Sequence, residues 1–423
     1  MRDVHSDEVR APALRLEGFE GEWSEVPLGS LVERVTRRNK GLQSTLPLTI
    51  SAQHGLVDQV SYFNNHVVGQ NWEDYFLVKN GEFAYNKSAS AGYPAGTVKR
   101  LDRYESGILS VLYVVFGIED PNTLDSDYLA TYFETELWPR EVLLRAAEGA
   151  RNHGLLNISA GEFLDIPIAV PPSRAEQVAI GAFFKNLDGQ IRSTLEFHSS
   201  LTSLKKTMLV KMFPQGTAST PEVRFEGFEG DWECEYLGTR AEVKSAARVH
   251  RHEWTTSGVP FFRASDVSAI ANGISNPPAF ISHELYENLV TRSGRLRKGD
   301  VLVVGGGSIG TPYVVPDDKP LYSKDADLLW VQSDRERLSP EYLATFFRSP
   351  SFQQYLRSIS HAGTISHYTI VQAKNTPIPL PSLSEQQAIG AYFRSLDALI
   401  DAEQKKLDTL RSLKSALLTQ MFV

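Results

Sequence analysis

The chain has 423 residues, 42% of them hydrophobic and 22% charged, with a formal net charge of −8 and a single cysteine, Cys234. That length exceeds one compact core and favours two domains of about 100–200 residues; one cysteine permits no intramolecular disulfide. No apolar run approaches the roughly 18 residues of a membrane span and no basic-then-apolar leader opens the sequence, so the expectation is a soluble, cytoplasmic protein.

In chain order, residues 1–29 form a glycine-rich segment ending near Trp23, and its core, Arg15-Leu16-Glu17-Gly18-Phe19-Glu20-Gly21-Glu22-Trp23, returns 209 residues later as Arg224-Phe225-Glu226-Gly227-Phe228-Glu229-Gly230-Asp231-Trp232. The same offset relates Glu176-Gln177 through Leu187-Asp188 to Glu385-Gln386 through Leu396-Asp397, and Ser203-Leu204-Lys205 through Met212-Phe213 to Ser412-Leu413-Lys414 through Met421-Phe422. The chain is therefore a tandem duplication. Two matching frames enclose two dissimilar inserts, as expected of one scaffold carrying two different recognition surfaces.

The first insert, residues 30–165, carries 12 Lys and Arg against 17 Asp and Glu, whereas the second, residues 238–378, carries 16 against 13. On charge alone the second is the better nucleic-acid binder. Both read as mixed α/β: β-rich runs such as Ser110–Phe116 and Val301–Val304 alternate with turn glycines, an acidic helix is expected over 124–148, and the helices Tyr128–Phe133 and Tyr342–Phe347 look related. Segments 166–213 and 379–423 each contain a long amphipathic helix, at 176–213 and 385–422. Ile180, Phe184, Leu187 and Ile191 recur at helical spacing in the first, and Ile389, Phe393, Leu396 and Ile400 in the second. A helix of about 33 residues, some 50 Å long, outruns a small domain, so antiparallel pairing of the two as a coiled coil is expected. Residues 214–237 supply the linker and the second repeat segment.

Several motifs lead nowhere catalytic. Gly305-Gly306-Gly307-Ser308-Ile309-Gly310 formally matches a dinucleotide fingerprint, but Thr311-Pro312-Tyr313-Val314-Val315-Pro316 is β-branched and proline-broken, so a strand follows where the fingerprint needs a helix. Asn276-Pro277-Pro278-Ala279 is like the turn that holds a flipped base in amino-methyltransferases, yet Ala279 stands where the stacking ring belongs. His250-Arg251-His252-Glu253 lacks the second set of ligands a metal requires. No metal, cofactor or catalytic set is assigned. Asn86-Lys87-Ser88-Ala89-Ser90-Ala91-Gly92-Tyr93 occupies in the first insert the place of the glycine loop in the second, and offers the donors and acceptors that base edges and phosphates require; a plain polar surface loop fits it equally.

The Asn86-Lys87-Ser88 loop, the Gly107-Ile108-Leu109-Ser110-x-Leu112-Tyr113 run, Leu156-Asn157-Ile158 and above all the two helix starts bearing Glu176-Gln177 and Glu385-Gln386 after a proline resemble a specificity subunit of a type I restriction-modification system, over nearly the whole chain. The resemblance implies two target-recognition domains, 30–165 and 238–378, separated by two long antiparallel helices and each reading one half of a split DNA site. It implies a non-catalytic role, with methylation by two partner modification subunits and ATP-dependent cleavage by restriction subunits. Polarity and loop position then suggest DNA contacts at Asn86, Lys87, Ser88, Ser90, Tyr93, Arg151 and Asn152, and at Arg248, Arg251, Ser308, Thr311, Thr364, Ser366 and His367. Partner docking is placed at Pro171, Glu176, Gln177, Pro381, Glu385 and Gln386, with helix capping and internal packing as an equal alternative. Other classes remain open: a nucleotide- or S-adenosylmethionine-dependent DNA-modifying enzyme, or a helical adaptor whose inserts bind proteins.

Overall fold

The computed structural model describes residues 11–63, 71–146, 154–323, 327–359 and 367–423. The fold is mixed α/β in two units, residues 1–194 with 406–423, and residues 195–405. The boundary crosses both long helices, Arg174–Lys211 and Leu383–Gln420. Each unit is thus completed by a helix end belonging to the other repeat. Both helices start and stop two residues sooner than their apolar spacing predicts, because Phe213 and Phe422 leave the helix and turn into the cores.

In the first unit a four-stranded antiparallel sheet runs in the order Val32–Arg34, Val114–Ile118, Phe83–Asn86, Thr97–Arg100. Two further pairs, Leu48–Ser51 with Gly55–Asp58 and Phe76–Lys79 with Ser106–Leu109, stand beside it. In the second unit the corresponding sheet is Ala241–Lys244, Leu328–Ser333, Val301–Val304, Pro312–Val314. A second sheet there joins Trp254–Thr255, Phe280–Ile281, Val259–Phe262 and Tyr322–Ser323. Two sequence expectations need correction. The run Ser110–Phe116 is not one strand: residues 110–113 turn, and the strand begins at Val114. The acidic helix expected over 124–148 is two helices, Ser126–Tyr132 and Leu137–Arg145, because Thr135 Oγ1 and Trp138 Nε1 bond the Tyr132 and Phe133 carbonyls at the break.

The repeated frame explains its own motifs. Ser24–Pro27 pairs antiparallel with Pro167–Val170, and Glu233–Tyr236 with Pro377–Leu380, so each repeat segment is stitched to the strand that precedes its long helix. Arg15 grips both oxygens of the buried Glu176 at 2.7 Å and also donates to the Gly21 and Glu20 carbonyls; Arg224 does the same to Glu385, Gly230 and Glu229. Gly21 and Gly230 sit at φ +90° and +81°, a conformation that lets the segment curl around the guanidinium. Gln177 accepts from the Asp125 backbone amide and donates to the Thr123 carbonyl, and Gln386 accepts from Ser339 and donates to Arg337, fixing the start of the helix that crosses each long helix.

Within the first unit the two helix segments run antiparallel: Phe184 meets Phe422 with ring centroids 6.0 Å apart, Asp188 pairs with Lys414, and Ile191 shares a core with Leu410. Within the second unit Asp397 pairs with Lys205, and Phe213 shares a core with Phe393.

The glycine of each helix-start motif permits a close crossing. A Cβ on Gly181 would lie 2.7 Å from the Tyr128 backbone nitrogen and 2.8 Å from Asp127 Cβ, and one on Gly390 would lie 2.7 Å from Glu341 Cβ. Gly189, in the same helix, has nothing within 4 Å of its Cβ position. Gly181→Ala is therefore expected to destabilise the fold by about 1–3 kcal/mol through overpacking, while Gly189→Ala gains up to about 1 kcal/mol of helix propensity. Denaturant midpoints of the two variants check this; equal shifts of one sign would show that the crossing is not tight.

Candidate nucleic-acid interface

Both central sheets present a loop where their third strand ends. In the first unit Phe83–Asn86 runs into residues 87–96, whose path is held on both sides: the Lys87 carbonyl accepts from the Leu156 amide at 2.9 Å, and the Ala89 amide donates to the Gly154 carbonyl at 2.9 Å. Asn86 Oδ1 accepts from the Ser88 amide at 3.0 Å, Ser90 and Tyr93 close a turn by bonding each other's backbones, and Tyr85 donates its hydroxyl to the Ala95 carbonyl. Gly96, at φ +83°, passes so near the Asn86 carbonyl that a Cβ would stand 2.2 Å from it. The loop is thereby pre-shaped. Ser90 and Tyr93 are exposed, while Asn86, Lys87 and Ser88 are half-buried and Lys87 Nζ leans to the Ile158 carbonyl at 3.4 Å.

In the second unit Val301–Val304 enters the glycine loop and leaves it as strand Pro312–Val314, the strand expected after Thr311 in place of a helix. Gly305 donates to the Asp327 carbonyl at 2.8 Å and accepts from the Tyr368 amide at 2.7 Å, the counterpart of the Lys87 to Leu156 bond. Gly306 lies against His367 and Asp327, where a Cβ would meet His367 Nδ1 at 3.2 Å and Asp327 Oδ1 at 3.1 Å. Thr311 Oγ1 donates to the Ser308 carbonyl at 2.8 Å. The structure thus gathers Ser308, Thr311 and His367 on one loop cluster, with Ser308 and His367 exposed. Arg248 and Arg251, both exposed, ride a different element, the segment between Ala241–Lys244 and Trp254–Thr255 that packs through Ala246 and Val249 onto the second sheet's core. Arg151, Asn152, Thr364 and Ser366 lie outside the described residues.

The six residues expected to dock partners face inward instead. Pro171, Glu176, Gln177, Pro381, Glu385 and Gln386 are all buried, and the two glutamates and two glutamines are consumed by the frame contacts described above. Both carboxylates are closed off from solvent and held by an arginine of their own frame, so the contacts these residues make are internal packing and capping. The signal that could have revealed this is the joint recurrence of Arg15 and Glu176, 209 residues later, as Arg224 and Glu385. The Asn276 turn, with Pro277 and Pro278 exposed, is tied to its own domain: Asn276 Nδ2 donates to Asp266 at 2.6 Å, and Arg263 clamps both Asp266 and the Pro277 carbonyl. His250 and His252 stack 5.6 Å apart, and the described residues hold no group of His, Cys, Asp and Glu arranged for a metal.

Residues 231–412 match the family model of the type I restriction modification DNA specificity domain. The MjaVIII type I restriction enzyme specificity subunit of Methanocaldococcus jannaschii is 24% identical over 324 residues, 74% of this chain and 73% of that one. A Haemophilus influenzae protein described as a type I restriction enzyme specificity subunit is 25% identical over 167 residues, which span 39% of this chain and only 40% of that relative. The solved S subunit of a type I restriction-modification system from M. genitalium shares the fold, with a TM-score of 0.57 and 16% identity over 98% of this chain and 99% of that one.

Proposed function

We propose that this chain is the DNA-specificity subunit of a type I restriction-modification complex, in which residues 30–165 read one half of a bipartite site and residues 238–378 the other. The observation that carries the reading is a duplicated frame, with the same Arg–Glu clamp and the same glutamine cap in both copies, presenting at equivalent sheet ends two loops of unlike chemistry. One loop offers an amide, an ammonium, hydroxyls and a phenol; the other offers glycine backbone with Ser308, Thr311 and His367 beside it. Amides and hydroxyls suit base edges, and backbone amides with cationic side chains suit phosphates. The chain is a recognition component and no catalytic step is assigned to it; methyl transfer and cleavage belong to partner modification and restriction subunits. Among the described residues no helix is long and apolar enough to cross a membrane, and a cytoplasmic location follows from the DNA substrate. With the proline, glutamate and glutamine pairs turned inward, docking of the modification subunits is moved to the outward side of the long helices, where Val178 and Phe183 are exposed at 44% and 38%.

The test is an exchange of residues 30–165 for the corresponding domain of a relative, followed by mapping of methylated sites in the assembled complex. One half of the recognised sequence is expected to change while the other persists, since separated base contacts contribute nearly independently at about 1–3 kcal/mol per base pair. A change in both halves, or methylation without sequence preference, would count against two separate reading heads.

A further inference from the structure

In the first unit the strand Ser106–Leu109 reaches the central strand Val114–Ile118 through the turn Ser110–Tyr113, closed by the Tyr113 amide on the Ser110 carbonyl at 3.2 Å. Its two central residues are Val111 and Leu112, 50% and 59% exposed. Turn centres favour glycine, proline, asparagine, aspartate and serine, each for a conformational or hydrogen-bonding reason; neither valine nor leucine offers one, and neither is compensated by burial here. Ser110 Oγ supplies the local bond instead, accepting from the Leu112 amide at 3.4 Å. The register fixes where this tip stands. Val114, the first residue after the turn, pairs with Tyr85, one residue before Asn86, so the apolar turn and the polar loop leave the sheet from the same end of two adjacent strands. In the second insert the sequence ahead of the equivalent strand reads Lys324-Asp325-Ala326-Asp327, charged where the first is apolar.

We propose that Val111 and Leu112 form an apolar reading contact of the first domain, taking the C5-methyl groups of thymine in the major groove beside the bases addressed by the Asn86 loop. Thymine is the one base that shows an apolar group on its major-groove edge, and a rigid turn presents two branched side chains to it with little ordering entropy. This rests on the specificity-subunit reading.

The experiment uses the full chain assembled with its modification subunits and duplex DNA carrying the mapped site, in which each thymine of the half read by residues 30–165 is replaced in turn by uracil, removing only the methyl. At one or two positions the unaltered complex is expected to bind the uracil duplex about three- to fivefold more weakly, the loss of one buried methyl. The double variant Val111→Ser, Leu112→Ser is expected to bind thymine and uracil duplexes equally while its preference in the other half-site stays intact, which also reports that the variant is folded. Indifference of the unaltered complex to every uracil, an undiminished uracil penalty in the variant, or a half-site containing no A·T pair overturns the inference and leaves the specificity-subunit reading standing. Absence of any sequence-specific methylation by the unaltered complex overturns that reading, and this inference with it.

Discussion

Lys414→Met is expected to destabilise the protein by about 2 kcal/mol at pH 7, whereas Lys205→Met, the same substitution at the equivalent place in the other repeat, changes stability by no more than about 0.5 kcal/mol. The lysines and their helix partners correspond, Lys414 with Asp188 and Lys205 with Asp397, but the third member of each cluster does not. In the first unit it is Glu134, which also pairs with Lys414 and lies 3.6 Å from Lys99; in the second it is Arg348, 3.0 Å from Asp397. Removing Lys414 leaves the Glu134 and Asp188 carboxylates facing each other beside Lys99. Removing Lys205 leaves an intact Arg348–Asp397 pair. The figure for Lys414 is set below the ~3–5 kcal/mol of a fully buried pair because the Glu134 and Asp188 side chains keep 30% and 37% of their exposure.

The same cluster sets a pH dependence. Burial, and after it the charge of Glu134, push the Asp188 carboxyl above its ordinary value even with Lys414 present; burial opposes the Lys414 ammonium, but Glu134 and Asp188 outweigh it and hold its pKa up. A carboxyl whose folded-state pKa is raised favours folding below its unfolded value, about 4, and that contribution is lost as pH rises through the folded value. Without Lys414 the rise is larger. The deficit of Lys414→Met relative to the unaltered protein is therefore greatest at neutral pH and shrinks on acidification toward pH 4. Denaturant midpoints of both proteins across pH 4–8 measure it, and a deficit that grows on acidification would mean that the carboxylates are not the source.

The long helices were legible because apolar residues such as Ile180, Phe184, Leu187 and Ile191 recur at helical spacing, and the duplication because its anchors keep both identity and register. The glycine loop could be read as a hairpin from the β-branched, proline-broken residues after it. Other features rested on contacts that no local pattern encodes. Glu176 and Glu385 look like solvated helix starts until Arg15 and Arg224, 161 residues away in each case, are seen to grip them. Val111 and Leu112 read as the middle of a strand because seven mostly apolar residues in a row suit one; the break is made by Ser110, through its carbonyl and its hydroxyl. The pairing of each helix end with a unit is hidden for a different reason. The two repeats carry the same apolar pattern there, so residues 406–423 fit either sheet equally well on paper.

The exchange of helix ends between repeats is open to direct test. Phe422 is 5% exposed and sits among Trp23, Tyr128, Tyr132 and Phe184, with ring centroids between 5.6 and 6.1 Å. All four neighbours come from the first repeat. Phe213 is fully buried among Trp232, Tyr342 and Phe346, all from the second. Truncating either ring to alanine in so aromatic a core costs about 3–5 kcal/mol, the transfer term plus the cavity left behind. Because each ring belongs to the opposite repeat's unit, Phe422→Ala is expected to weaken the unit built from the first repeat, although position 422 follows the second insert in sequence. Phe213→Ala is expected to do the converse. Hydrogen exchange resolves the two cases: amide protection should fall first in the strands 83–86 and 114–118 for Phe422→Ala, and in 301–304 and 328–333 for Phe213→Ala. Loss of protection in 301–304 on truncating Phe422 would mean that each helix end returns to its own repeat, and that the exchange of helix ends is not how the chain folds.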